Sequence, residues 1–128
     1  MPKKIIKSKG ALPYSEAVMH NSKYTMEISG KLGIDPITGK LADGIGEQTE
    51  KAIEGIKSIL AEVGWGLSNI VKARVYLTDM ENYALMNEAY GMFFPGDFPA
   101  RVALAVKALP MGALVEIECV ACGDAAPV

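Results

Sequence analysis

Histidine and cysteine are scarce in this chain, and their scarcity excludes several kinds of catalytic site. His20 is the only histidine among 128 residues, and Cys119 and Cys122 are the only cysteines. A Ser–His–Asp site would have to use His20, and no nucleophile-elbow sequence accompanies it. Four-ligand zinc sites need more than two cysteines and one histidine. The chain also lacks a P-loop and a G-x-G-x-x-G motif, so we expect neither a metal nor a nucleotide cofactor.

The two cysteines follow a C-x-x-C spacing near the end of an apolar, strand-like segment. This spacing is typical of redox sites where it opens a helix after a strand, which is not its place here. We expect structural thiols, with a redox pair or a metal site as alternatives. Free thiols favour a reducing compartment, and we expect the cytoplasm.

Net charge and long apolar runs are also small. The formal charge is −2 and the pI is near 5.4, unlike the basic balance of most nucleic-acid binders. No apolar run approaches the roughly 18 residues of a membrane span. Residues 1–10 carry four lysines but no apolar signal region follows them. We expect a loose, solvated N-terminal segment there, with a targeting arm or an RNA contact as the alternative.

Apolar periodicity predicts two helices. Over residues 47–63 the apolar side chains recur every three or four positions, and Gly64 follows where helices commonly end. Asp79 is suited to cap a second helix over residues 81–93. Both segments present one apolar stripe, so we expect both to pack on a sheet.

Alternating and apolar runs predict the strands. They are residues 5–6, 26–29, 32–34, 71–78, 101–109 and 114–121. Pro and Gly at turn positions separate some of them, at residues 35–39 and 110–112. The order indicates an α+β fold in one domain over residues 1–128, a mixed β-sheet with two helices packed on one face. We expect residues 122–128 to be a C-terminal tail.

The predicted strand over residues 101–109 is apolar on both faces, which argues for burial on both. Two helices can cover only one face of the sheet. We therefore expect a second copy of the chain to cover the other face, although a monomer with a small exposed apolar face stays open.

Arg101 is the first candidate site residue because it begins this apolar strand. A guanidinium that enters a core stays charged and needs an anionic partner. That partner is either an internal carboxylate such as Glu116 or Glu118, or the carboxylate of a ligand held in a bidentate contact. The pattern alone favours neither.

Four further side chains are candidates with an ordinary structural alternative. Glu116 and Glu118 share one strand face, where they are either solvent-facing or placed for acid–base chemistry in a cleft. Asn87 lies mid-helix and is either exposed or turned inward. Tyr14 follows Pro13 in a turn, and its ring either packs or reaches a pocket.

Eight short elements together resemble the RidA (YjgF, L-PSP) family from about residue 11 to residue 121. In chain order they are Pro13-Tyr14-Ser15-Glu16-Ala17-Val18, Ser29-Gly30 with Asp35-Pro36-Ile37-Thr38-Gly39, Gln48-Thr49, Asn69-Ile70-Val71-Lys72, Tyr76-Leu77-Thr78-Asp79-Met80, Met86-Asn87-Glu88-Ala89-Tyr90 with Phe93-Phe94, Pro99-Ala100-Arg101, and Leu109-Pro110 with Val115-Glu116-Ile117-Glu118. Each is short, but their order and spacing make the set specific.

The resemblance implies a chorismate-mutase-like fold and a homotrimer with sites between subunits. It implies cofactor-independent hydrolysis of 2-enamine and 2-imine intermediates, of the 2-aminoacrylate and 2-aminocrotonate class, to 2-keto acids and ammonia. Arg101 would bind the substrate carboxylate and Glu116 would position and activate water. The substrate-binding positions would be Tyr14, Ser29, Gly30, Asn87 and Ala103.

Some positions depart from the family's common pattern and bear on substrate preference. Glu16 stands where Gln is usual, Lys31 follows Ser-Gly in place of Gln, and Ala103 replaces the usual Cys, Ser or Thr. Two alternative functions stay open beside the deaminase. One is a regulatory protein that binds small carboxylates without turnover. The other is the endoribonuclease activity of the L-PSP name, which the acidic pI disfavours.

Overall fold

The computed structural model describes residues 3–128 and has an α+β fold. Its elements are β1 (Lys4–Lys7), β2 (Ser15–Met19), β3 (Tyr24–Leu32), α1 (Gly44–Ala61), β4 (Ile70–Leu77), α2 (Tyr83–Gly91), β5 (Ala100–Ala105) and β6 (Val115–Gly123). The strands form one six-stranded sheet in the order β1-β2-β5-β4-β6-β3. β5 runs parallel to β2 and β4, and the other neighbours are antiparallel, which confirms the predicted mixed sheet.

The two helices lie on one face of this sheet because strand and helix patterns bury complementary stripes. α1 buries Ala52, Ile53, Ile56 and Leu60, which recur at helical spacing. Alternate residues of the central strands meet them, and these are Ala73, Val75 and Leu77 of β4 and Val115, Ile117, Cys119 and Ala121 of β6. We call this side the helix face. No helix among residues 3–128 has the length and apolar character needed to cross a membrane.

The opposite side of the sheet, which we call the open face, has no covering layer in the chain as described. It carries Lys72, Arg74 and Tyr76 of β4, beside Val102 and Leu104 of β5. Val102 and Leu104 are 39% and 41% exposed. The sequence predicted burial of this strand on both faces, and one chain supplies the cover for only one of them.

The ends of the chain differ from the sequence-based expectation. The short strand predicted at residues 5–6 is confirmed as β1, which spans residues 4–7 and replaces part of the expected loose segment. β1 pairs with the unpredicted strand β2, with Ile6 opposite Ala17. Residues 1 and 2 of that segment lie outside the described residues. At the other end, residues 122 and 123 continue β6, since they pair with Thr25 and Tyr24 of β3 and are not part of a tail.

Several predicted bounds shift inside the chain. The strand predicted over residues 101–109 ends at Ala105, because β4 ends at Leu77 and Val106 makes the last backbone bond to it. The two runs at 26–29 and 32–34 join into β3 through a bulge between Ile28 and Lys31. α1 begins at residue 44, and α2 is shorter than predicted, spanning residues 83–91.

Two side chains form hydrogen bonds near the starts of the two helices. The Asp79 carboxylate accepts a hydrogen bond from the backbone N–H of Glu81 at 2.9 Å, as a cap should, although the capped turn is a short 3₁₀ segment that leads into α2. Gln48 is buried at the start of α1. Its amide donates to the Ala42 carbonyl at 3.1 Å and accepts from the Leu114 N–H at 2.9 Å. Gln48 therefore anchors α1 to the start of β6.

The two cysteines are free and buried on β6. Three residues along a strand span about 10 Å, whereas a disulfide needs Cα atoms within about 7 Å. Cys119 belongs to the helix face, and Cys122 accepts a 3.4 Å contact from the Ser22 hydroxyl. Because an odd spacing turns the two thiols to opposite sides of a strand, the geometry disfavours a redox pair.

Candidate functional site

Arg101 lies at the start of β5 on the helix face, paired in register with Ala73 of β4. Its guanidinium reaches α2, where Nη2 donates to the Tyr83 hydroxyl oxygen at 3.3 Å and Nη1 lies 4.0 Å from the Met86 sulfur. Three tyrosine rings surround it. The guanidinium carbon is 5.0 Å from the ring centre of Tyr90, 5.7 Å from that of Tyr14 and 5.8 Å from that of Tyr83.

Arg101 forms no ion pair within residues 3–128, so the predicted alternative of an internal salt bridge is wrong. The sheet register gives the reason. Ala73 pairs with Arg101 and with Cys119, which puts all three on the helix face. Glu116 and Glu118 alternate with Cys119 along β6 and belong to the open face. Aromatic ring faces therefore take the place of a carboxylate beside this cation.

Asn87 and Ala103 belong to the same side of the sheet as Arg101. Asn87 is 7% exposed on α2, so the alternative of an exposed amide is wrong. Both polar atoms of its side chain lack a hydrogen-bond partner among the described residues. A buried amide without partners is costly, and such groups commonly meet water or a ligand. Ala103 lies two residues after Arg101 on β5 and packs against the core.

The Tyr90 ring also contributes an unpaired group to this side. Its hydroxyl has no partner within the described part of the chain. Burial raises the pKa of Tyr90 well above its usual value, the nearby Cys119 adds to the rise, and the Arg101 charge opposes it. The hydroxyl therefore stays neutral. The ring of Tyr90 contacts the Arg101 guanidinium, whose carbon lies 5.0 Å from the ring centre.

Glu116 occupies the open face of β6, beside the bulge of β3 that contains Ser29 and Gly30. The carboxylate lies directly over Gly30. A methyl group added at Gly30 would come within 2.8 Å of the Glu116 carboxyl carbon, closer than real contacts allow. Glycine at this position thus leaves the space that the carboxylate fills.

The neighbouring carboxylate has a different role in the fold. Glu118 accepts a hydrogen bond from the Tyr76 hydroxyl across the β4–β6 pair. This bond raises the pKa of Tyr76, with burial and the charge of Glu118 as further causes. Glu118 is thus engaged within the chain, whereas no hydrogen bond or ion pair engages the Glu116 carboxylate among residues 3–128.

The predicted site residues therefore fall into two groups. The arginine group on the helix face contains Tyr14, Asn87, Arg101 and Ala103. The glutamate group at the open face contains Ser29, Gly30 and Glu116. β4 separates β5 from β6, and the two charged side chains lie on opposite faces of the sheet. One chain does not bring Arg101 and Glu116 together.

Sequence reasoning missed the contacts that Tyr83 and Met86 make with Arg101. Both residues lie in the predicted second helix, whose apolar stripe was expected to pack on the sheet. The available signal was a tyrosine in that stripe, because its hydroxyl needs a polar partner when it is buried. The register between α2 and β5, which identifies that partner, is a tertiary feature.

Comparison with known proteins agrees with this architecture. The family model described as Endoribonuclease L-PSP matches residues 6–122. The human 2-iminobutanoate/2-iminopropanoate deaminase is 41% identical over 117 residues, which cover 90% of this chain and 84% of the human protein. The chain belongs to the RidA/YjgF/L-PSP family. A RutC family protein of Pyrococcus horikoshii is 43% identical over 110 residues, covering 85% of this chain and 86% of that protein.

Solved structures of the RidA/YjgF/L-PSP family share the fold. RidA from an Antarctic Psychrobacter is 39% identical, with a TM-score of 0.75 over 93% of this chain and 94% of that one. E. coli TdcF with bound serine is 31% identical, with a TM-score of 0.74 over 93% of this chain and 98% of TdcF. Both comparisons support the mixed sheet with two helices as the common architecture.

Proposed function

We propose that the chain hydrolyses reactive 2-imino and 2-enamino acids to 2-keto acids and ammonia, without a cofactor. Arg101 carries the proposal, because it is a half-buried cation with hydrogen-bond donors to spare and no carboxylate partner among residues 3–128. A ligand carboxylate is the partner that such a guanidinium accommodates best. The human and other mammalian relatives named 2-iminobutanoate/2-iminopropanoate deaminase support this substrate class. The serine bound to TdcF also carries a carboxylate.

The proposed site is formed between two copies of the chain in a chorismate-mutase-like homotrimer. The arginine group and the glutamate group lie on opposite faces, so a site that uses both needs the open face of a neighbouring copy. Val102 and Leu104 on that face are the apolar surface which such a neighbour would cover. Ser29 and Gly30 would then enter the site with Glu116.

The chemistry divides between the two charged residues. Arg101 holds the substrate carboxylate, with Tyr14, Asn87 and Ala103 lining the cleft on the same side. Glu116 takes a proton from water as the water oxygen bonds to the imine carbon and the C=N π bond opens, and it then returns this proton to the nitrogen. The resulting carbinolamine loses ammonia as its C–N bond breaks and the C=O bond forms, with the hydroxyl proton passing through Glu116 to the leaving nitrogen. An imine is already electrophilic, so positioning the water replaces a covalent nucleophile.

The test generates 2-aminoacrylate in solution with a pyridoxal-phosphate dehydratase and follows the keto acid as it appears. Addition of the protein should accelerate keto-acid release over buffer, and Arg101→Ala should lose at least about 100-fold of that acceleration, as expected for a lost charged contact. Lys57→Ala, a charge removal on the exposed side of α1, is the matched control and should act like the unmodified protein. No acceleration at high protein concentration would contradict the proposal.

A regulatory protein that binds small carboxylates without turnover is the second candidate. The same free guanidinium favours it, because binding needs only the arginine group. Calorimetric binding of 2-oxobutanoate without any imine hydrolysis would favour this function over the deaminase. RNA cleavage is disfavoured by the net charge of −2.

A further inference from the structure

We infer that Tyr83 is a positioning residue that orients the Arg101 guanidinium for the substrate carboxylate, an inference that rests on the proposed function. Tyr83 opens α2, and its hydroxyl oxygen accepts a hydrogen bond from Arg101 Nη2 at 3.3 Å. Its ring centre lies 5.8 Å from the guanidinium carbon. It therefore contacts the guanidinium both through the ring and through the hydroxyl.

Among the three surrounding tyrosines, Tyr83 has a distinct contact. Tyr90 lies nearer to the guanidinium carbon, at 5.0 Å, but its buried hydroxyl has no partner in the described part of the chain. Tyr14 lies at 5.7 Å and contacts the cation as a ring. Ring faces attract a cation but leave the fork free to rotate over them. A hydrogen bond to one nitrogen fixes the rotation, and Tyr83 supplies it.

The geometry leaves donors for the substrate. A guanidinium has five N–H donors in a planar fork. One donor of Nη2 is used by Tyr83, and one of Nη1 points towards the Met86 sulfur at 4.0 Å, a weak contact. The remaining donors lie on known edges of the fork, so a carboxylate meets an arranged bidentate partner. Fixing the fork before binding lowers the entropy lost when the ligand binds.

The role predicts an effect that depends on the charge of the ligand. Tyr83→Phe keeps the ring and removes the hydroxyl, so packing and the ring–cation contact remain. Binding of 2-oxobutanoate should weaken about threefold to tenfold, the range of one modest hydrogen bond. Its neutral amide, 2-oxobutanamide, does not need the fork, and its binding should change less than twofold. In the hydrolysis assay the KM should rise by the same factor as the anion affinity falls, with kcat nearly constant.

Calorimetric titration of both ligands against the unmodified protein, Tyr83→Phe and Tyr24→Phe makes the test. Tyr24 lies on β3, away from the arginine group, and its variant is the matched control. Unchanged 2-oxobutanoate affinity in Tyr83→Phe would overturn the positioning role, and so would equal weakening of both ligands, since that indicates general loss of packing. If the unmodified protein binds 2-oxobutanoate but hydrolyses no imine, the deaminase proposal fails while Tyr83 is still tested. No binding of 2-oxobutanoate by the unmodified protein overturns both.

Discussion

The arginine group and the glutamate group carry opposite charges on opposite faces of the sheet. Arg101 lies on the helix face among rings, with Tyr90 at 5.0 Å from its guanidinium carbon and no carboxylate partner in the described chain. Glu116 lies on the open face over the bare backbone of Gly30, with no cation paired to it in residues 3–128. Each group has a charge that the other lacks.

The difference shows how a sheet can keep two reactive charges apart within one chain. Alternation along β6 places Cys119 on the helix face and Glu116 on the open face. Ala73 of β4 pairs with both Cys119 and Arg101, so Arg101 also lies on the helix face. If the two charges faced each other in one chain, they would form an internal ion pair and neither would be available to a ligand. Separation on opposite faces leaves both charges unpaired within the described chain, as the proposed site between copies requires.

The largest expected effect comes from dividing the two groups between different copies. Arg101→Ala and Glu116→Gln should each abolish imine hydrolysis as pure proteins. When equal amounts are unfolded together and refolded, a site between copies can combine an intact Arg101 with an intact Glu116. For random mixing this occurs in roughly a quarter of sites, so about a quarter of the original activity should return. Keto-acid release by the refolded mixture is the measurement.

Each variant refolded alone is one control, and it should stay inactive. The refolded unmodified protein is the other, and it shows how much activity survives refolding. No recovered activity in the mixed sample, while the unmodified protein refolds to full activity, would contradict a site shared between copies. It would mean that the two groups do not act on one substrate.

A smaller effect is expected from disturbing only the glutamate group. Gly30→Ala places a methyl group where the Glu116 carboxylate lies, so the carboxylate must move. We expect keto-acid formation to slow about 10-fold to 100-fold, which matches a misplaced catalytic group, while binding of 2-oxobutanoate at Arg101 changes much less. Steady-state kinetics and calorimetric titration of the same variant measure the two effects.

Gly55→Ala is the matched control, because an added methyl group on α1 meets no atom within 4 Å. It should leave activity unchanged and favour the helix slightly. If Gly30→Ala retained full activity, Glu116 would have no catalytic role in the position described.

The smallest expected effect tests whether water is excluded from the helix face at the Cys119 thiol. Burial, together with the Glu118 charge, raises the pKa of Cys119 from 9.0 to about 12. As the pH rises, the thiol of the unfolded chain loses its proton before the buried thiol of the folded protein does. The free energy of unfolding is therefore unaffected by this thiol's ionisation below about pH 9, and it declines as the pH rises from 9 to 12. The decline should approach about 1.4 kcal/mol per pH unit. Urea unfolding at pH 8, 9 and 10 measures it.

Cys119→Ala should lower the free energy of unfolding at pH 8 through lost packing. It should also reduce the decline of that free energy between pH 9 and 10, below the usual pKa of a tyrosine. Ile117→Val on the same strand is the control, because it removes buried volume without removing a thiol. An equal decline in Cys119→Ala and the unmodified protein would mean that water reaches this part of the helix face.

Much of the fold could be predicted because local patterns repeat. The apolar spacing of Ile53, Ile56 and Leu60 predicted α1, and alternation predicted β4 and β6 nearly to their ends. β2 was missed because five residues, with Glu16 among them, carry little pattern, and the strand depends on pairing with β1 and with Ala100. The length of β5 was overestimated because its apolar run continues after its partner strand β4 has ended.

The sequence by itself determined the family, the helical and strand segments, and the identity of Arg101 and Glu116 as the charged candidates. It left the partner of Arg101 open between an internal carboxylate and a ligand. Only the tertiary structure showed that Glu116 and Glu118 do not pair with Arg101, because the faces that these residues occupy depend on the pairing of both strands with β4. Register between distant strands, and the contact of Tyr83 with Arg101 across α2 and β5, arise from packing that local sequence periodicity does not encode.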